Sequence, residues 1–180
     1  MGTEVFANAL SLHAGGGAFI TAAHLAALGR PAHLAATIPA GCLGDLAMEQ
    51  IATSGVDASL CRSAPGDSDP QITVAITNGT DRSFVTRRTG PALPDPDHLA
   101  IAGLGFGHLH IGELATLIEH PDLLNFARRN GLTISLDCSW DDAVMASAGE
   151  LIAQVDVFLP NRAEADQLAA LGIGPAAAPL

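Results

Sequence analysis

The sequence predicts an α/β fold, a mostly parallel sheet flanked by helices with a small β lid. Three observations carry this. Short apolar strand candidates alternate with helical segments from residue 18 to residue 171, the rhythm of parallel strands covered on both faces. One stretch, residues 71–87, breaks that rhythm with two strand patterns around Asn78-Gly79, a strong tight-hairpin signal. The 180 residues are 48% hydrophobic and only 15% charged, against about 25% charged in an average domain, which excludes a disordered chain.

Each element has its own local reason. Residues 4–12 are short and weakly apolar and suggest an edge strand. Gly15-Gly16-Gly17 interrupts them, and residues 18–28 follow as an alanine-rich run, apolar nearly all round, which reads as a buried helix closed by Gly29. Residues 32–37 are a strand candidate, residues 41–44 a loop, and residues 45–54 a helix stopped by Gly55. Residues 56–61 form the next strand and residues 62–70 a loop rich in Ser, Gly, Pro and Asp. In residues 71–77, Ile72, Val74 and Ile76 alternate with polar neighbours, which predicts one buried face; residues 83–87 are the return strand. The remainder returns to strand and helix: strands at 107–111, 132–137 and 155–159, the last two buried, and helices at 113–119, 122–130, 142–154 and 163–171.

Charge and composition exclude several functions. Nineteen acidic residues against eight basic ones leave a net charge of -11, which repels a phosphate backbone, so no nucleic-acid partner is expected. All eight basic residues are Arg, which excludes lysine chemistry from this chain and a Walker-type phosphate loop. No apolar run reaches the roughly 18 residues of a membrane span. The first twelve residues lack the basic region of a secretory signal. Cys42, Cys61 and Cys138 are scattered and odd in number, which fits a reducing cytoplasm and neither a disulfide framework nor a zinc knuckle.

Four constellations could carry chemistry. Gly15-Gly16-Gly17 opens a helix, so its backbone could approach a ligand closely; the other reading is a turn whose glycines permit close packing. A dinucleotide fingerprint would need glycine where Ile20 stands. Asn161 and Glu164 follow a strand ended by Pro160; their spacing is that of a capping box, and a hydrated magnesium ion at the strand ends is the functional alternative. Asp137 ends another strand, either in the ligand crevice or as a turn carboxylate. His108 and His110 share one face of a strand, but no third ligand with metal spacing accompanies them. There is no G-x-S-x-G elbow.

In their order along the chain these pieces resemble the PfkB, or ribokinase-like, family of carbohydrate kinases. The resemblance rests on Gly15-Gly16-Gly17 through Gly29, Gly41 to Asp45, Ser54 to Asp57, the hairpin of residues 72–84, the strand from His108 to Gly112, Leu136-Asp137, and above all residues 156–165 with Asn161-x-x-Glu164. It implies a ribokinase-like fold with lid segments at about 3–13 and 70–88 and an α/β core at about 15–62 and 98–180. It implies transfer of the ATP γ-phosphoryl to a hydroxymethyl group of a sugar or nucleoside. Gly15, Gly16, Gly17 and Ile20 would line the substrate, the lid would close over it or carry a homodimer contact, and Asn161, Glu164 and Asp137 would organise magnesium and phosphate.

The departures are equally informative. The family commonly has Asn where Ile20 stands; Ile cannot hydrogen-bond sugar hydroxyls, which argues against ribose. Ser139 stands where Asn is frequent. The family's catalytic base, an Asp in a Gly-Ala-Gly-Asp segment, is absent from these 180 residues, and after Glu164 only Asp166 follows. By the same resemblance the first strand should precede Met1 and the nucleotide-binding strands should follow Leu180. The expectation is a domain incomplete at both ends, inactive alone, with a sugar-binding or partner-binding remnant and a dinucleotide-binding protein as the alternatives.

Overall fold

The computed structural model describes residues 4, 6–66, 71–77, 81–94, 104–139 and 148–173. Helix α1 (Gly17–Ala27) leads through β1 (Thr37–Ile38) to α2 (Cys42–Thr53) and β2 (Arg62–Ser63). An antiparallel hairpin follows, β3 (Ile72–Thr77) and β4 (Arg82–Arg87). Then come β5 (His108–Ile111), α3 (Leu114–Glu119), α4 (Asp122–Arg129), β6 (Thr133–Asp137), α5 (Gly149–Ile152), β7 (Val157–Leu159) and α6 (Arg162–Ala170). The order β5-β6-β7 is parallel throughout, as is the β1–β2 pair.

The three-stranded sheet sorts its side chains by the period of two. On one face Ile111, Ile134, Leu136 and Cys138 join Leu114, Leu117, Leu123, Leu124 and Ala127 of α3 and α4 in the main core. The register pairs His108 with Thr133, His110 with Ser135, Ser135 with Val157 and Asp137 with Leu159, so these share the opposite face. Asp156 starts β7 by accepting the Ile134 amide at 2.7 Å while its own amide donates to the Ile134 carbonyl at 3.0 Å. A second core, Ala22, Leu34, Ile38, Ile51 and Val56, lies between α1, α2 and the β1–β2 pair.

Several expectations are corrected. Residues 6–12 form no strand; Phe6, Leu10 and Leu12 are exposed and no described strand lies beside them to complete a ladder. The strands expected at 32–37 and 56–61 reduce to a His33–Asp57 bridge and the short β1–β2 pair. The cause is a turn: the Asp57 carboxylate accepts the Ser59 amide at 2.8 Å and the Cys61 amide donates to Ala58 at 2.9 Å, which lifts residues 58–61 out of the ladder. Residues 42–44 are helical rather than loop, because Gly44 packs directly on the Pro39 carbonyl, where any Cβ would collide. Helix α1 is half-exposed rather than buried, with Ala22 its one buried residue. Strand β7 lies at the end of the described sheet, with Val157 and Leu159 46% and 49% exposed. Both faces of the hairpin are exposed, so Ile72, Val74 and Ile76 cover nothing within the described residues. Asn78-Gly79, and residues 142–147 of the helix expected at 142–154, lie outside the described residues.

The hairpin is fastened at its exit. The Arg88 guanidinium donates to Glu119 through both terminal nitrogens and to Glu113 at 3.0 Å, clasping both ends of α3. Glu113 also accepts the Thr116 hydroxyl at 3.0 Å.

A close backbone-to-backbone contact joins α1 to the end of β5. A Cβ on Gly112 would stand 2.7 Å from Ala18 Cα, and one on Gly17 would overlap the Gly112 carbonyl. Because the obstacles are backbone atoms, side-chain rotation cannot relieve them. Gly112→Ala should therefore lose about 1–3 kcal/mol of stability or more in urea unfolding. Gly66→Ala, whose Cβ enters open space, should stay within about 0.5 kcal/mol.

Candidate functional site

The ends of β5 and β6, the start of α1 and the start of α6 meet at the carboxyl-terminal edge of the sheet, where open parallel sheets bind ligands. Gly17 brings α1 there. It rests on Gly112, and the position of a Cβ on Gly17 lies 3.4 Å from Asp137 Oδ2. The Asp137 carboxylate thus stands beside the first turn of α1, the positive end of that helix. Its Oδ1 accepts the Cys138 amide at 2.9 Å.

Gly15 and Gly16 border open space, with no heavy atom within 4 Å of where a Cβ would be. Gly16 has φ 93°, a left-handed value that a side chain would strain. The close-packing reading holds for Gly17, while Gly15 and Gly16 pack against nothing on their Cβ side. Ile20, one turn into α1, is 49% exposed. The segment before the glycines is held by Gln50 of α2, whose side chain accepts the Ala14 amide at 2.6 Å and donates to the Leu12 carbonyl at 3.0 Å.

Asn161 and Glu164 form the capping box that their spacing predicts. The Asn161 side chain accepts the Glu164 amide at 3.0 Å and the Glu164 carboxylate accepts the Asn161 amide at 2.8 Å. Glu164 is only 4% exposed. The Cys138 thiol donates to the Ser139 carbonyl at 3.9 Å; burial first, and then the charge of the Glu164 carboxylate, push its pKa up to about 12. Cys138 thus adjoins both Asp137, which accepts its amide, and Glu164, whose charge acts on its thiol, and the three candidate residues Asp137, Asn161 and Glu164 share one corner.

On the sheet face below Asp137, His110 is half-buried. Burial lowers its pKa, and the Asp137 charge opposes that shift. Among the described residues no group of three His, Cys, Asp or Glu side chains could hold a metal ion directly. No helix there is long and apolar enough to cross a membrane.

Four residues of this corner were not marked as site residues in the sequence. Gly112 is one small residue after a strand, Ser135 one polar residue inside a strand, Cys138 one of three scattered cysteines, and Gln50 one polar residue within a helix. Their roles depend on contacts between segments distant in the chain, which local spacing does not encode.

The sequence matches the pfkB family carbohydrate kinases over residues 3–173. Among curated proteins no match is found. Several solved kinases share the fold. The 2-dehydro-3-deoxygluconokinase of Thermotoga maritima is 19% identical with a TM-score of 0.70, covering 87% of this chain and 53% of its own. The fructokinase of Halothermothrix orenii is 17% identical with a TM-score of 0.71, covering 86% and 59%. An uncharacterized sugar kinase from Pyrococcus horikoshii, solved with ATP, is 13% identical with a TM-score of 0.72, covering 88% and 57%. The chain thus spans little more than half the length of each.

The thiols provide a direct check on this corner. Cys42 is exposed, and Cys138 is buried with its thiol pKa pushed up to about 12 by burial and then the Glu164 charge. Alkylation of the native protein followed by peptide mass spectrometry should label Cys42 readily and Cys138 only after unfolding. Rapid native labelling of Cys138 would show that the thiol is not enclosed.

Proposed function

We propose, from the premise that this chain belongs to the pfkB family of carbohydrate kinases, that it forms the sugar-binding part of an ATP-dependent kinase. The substrate class is a sugar or nucleoside that accepts the γ-phosphoryl on a hydroxymethyl group. The observation that carries this is the convergence of the bare Gly15–Gly16 backbone, Asp137 and the Asn161–Glu164 box at one edge of the sheet.

In this reading the Gly15–Gly17 backbone and Ile20 bound the sugar. The backbone supplies hydrogen-bonding groups where no Cβ intervenes, and Ile20 supplies an apolar wall. The β3–β4 hairpin closes over the substrate and excludes water, which would otherwise compete as acceptor. Arg88 anchors the root of that hairpin on α3. Phosphoryl transfer depends mainly on positioning and charge neutralisation, which suits a site of fixed backbone and oriented carboxylates.

The donor set fits magnesium held through water rather than in a protein cage. Glu164 is buried and already accepts from the Asn161 amide, whereas Asp137 is only half-buried beside the glycine segment. Asp137, Asn161 and Glu164 would hold that hydrated ion, and ATP with magnesium supplies the phosphoryl group and neutralises its charge. The residues themselves orient water and exclude bulk solvent.

The 180 residues contain no Gly-Ala-Gly-Asp segment, and Asp166 is exposed on α6. They would therefore bind sugar without turning it over. A dinucleotide role is disfavoured by Ile20 in the third glycine position and by the family match. The three free cysteines fit a cytoplasmic setting.

A second reading, partner binding, has its own observation. Register places Ile72, Val74, Ile76 and Val85 on one face of the hairpin, all exposed. A two-stranded hairpin with an apolar face is marginal in water unless covered, so a homodimer through the lid is part of the proposal.

Two measurements test it. Calorimetric titration of the purified chain with hexoses, ketoses and nucleosides should show binding to one class, while an ATP-coupled assay shows no phosphorylated product. Robust turnover would remove the missing-base argument, and failure to bind any of them would remove the substrate site. Sedimentation should show a dimer that Val85→Glu dissociates; a wild-type monomer at all concentrations would reject the lid contact.

A further inference from the structure

The polar face of β5 and β6 carries a chain of hydrogen bonds whose direction can be deduced donor by donor for neutral histidines. The Thr133 hydroxyl lies 3.2 Å from the Gly107 carbonyl, which can only accept, so its one proton points there. Thr133 Oγ1 must then accept from His108, whose Nδ1 is 2.7 Å away, so His108 carries its proton on Nδ1. A neutral imidazole has one N–H, which leaves His108 Nε2 as an acceptor. Ser135 Oγ, 2.7 Å from it, donates its only proton there. Ser135 Oγ is also 2.8 Å from His110 Nδ1, and with its proton committed it accepts. His110 therefore also carries its proton on Nδ1, and its Nε2 is a bare lone pair.

That lone pair is enclosed and has no hydrogen-bond partner among the described residues. An unsatisfied buried acceptor is costly, and natural interiors usually satisfy one with an ordered water. The charged or titratable groups acting on the ring are Asp137, two residues beyond Ser135 on the same face, and His108. A carboxylate and a bare imidazole nitrogen are both acceptors. A water molecule has two protons and satisfies both at once.

We propose that His110 Nε2 and the Asp137 carboxylate form a binding site for one buried water molecule, and that Ser135 creates it by passing the tautomer that Thr133 sets at His108 on to His110, whose proton it holds on Nδ1. Ser135 and His110 are then positioning residues for Asp137, acting through that water. The proposal stands whether or not the chain phosphorylates a sugar.

Long-range ¹⁵N spectra of the histidine rings, recorded above the ordinary histidine titration range, test the tautomers. The wild-type protein should show His108 and His110 both protonated on Nδ1, against the usual preference of free histidine for Nε2–H. In Ser135→Ala, His110 loses its acceptor and should turn to the Nε2–H form, while His33, outside the chain, stays unchanged. A wild-type His110 protonated on Nε2 would overturn the proposal whether or not the variant folds, and so would an unmoved His110 in a folded Ser135→Ala. A crystal structure should place one water within hydrogen-bond distance of His110 Nε2 and Asp137; a dry gap there would overturn the water site.

Discussion

Everything at the candidate site depends on one contact between two backbones without side chains. Gly17 and Gly112 let the start of α1 settle directly on the end of β5. With a methyl group on either residue, α1 would have to move away from the sheet edge, taking the Gly15–Gly16 backbone from Asp137. The ladder from β5 to β7 then carries the geometry onward, because it fixes where β6 and β7 end and so where Asp137 and Asn161 stand. The crevice is thus set by close packing at one point and by hydrogen-bond register everywhere else.

The parts that were legible in the sequence are those with local causes. Helix stops at glycines, the Asn161–Glu164 box and the shared face of His108 and His110 follow from spacing within a few residues, and each is found. The parts that were not legible have distant causes. The length of the β1–β2 pair was decided by the Asp57 side chain folding back on Ser59, a competition that apolar patterning does not show. The alternation of Ile72, Val74 and Ile76 reads as a buried face, yet periodicity reports only that a face is apolar, not what covers it. The same holds for β7, an apolar run at the end of the described sheet.

At the site, the Asn161–Glu164 pair was legible, with cap and ligand roles as rivals, but its proximity to Asp137 and Cys138 was not. The structure shows that the cap is formed and that it buries Glu164 beneath Cys138. The capping role and a role in holding water around a cation are compatible. A buried carboxylate fixed by a backbone amide is one whose orientation is set before any ligand arrives, and such preorganisation is what electrostatic catalysis requires.

The two faces of the central sheet also bear on how the chain finds its fold. Because side chains alternate with a period of two, a slip of β6 by one residue would exchange its faces. Ser135 and Asp137 would enter the apolar layer while Ile134 and Leu136 turned to the imidazoles. Such a misaligned state loses burial on one side and strands polar groups on the other, so both penalties oppose it together. The hydroxyl and imidazole groups that look costly inside a small sheet therefore act as an alignment key, opposing any pairing of β5 with β6 that is out of step by one residue.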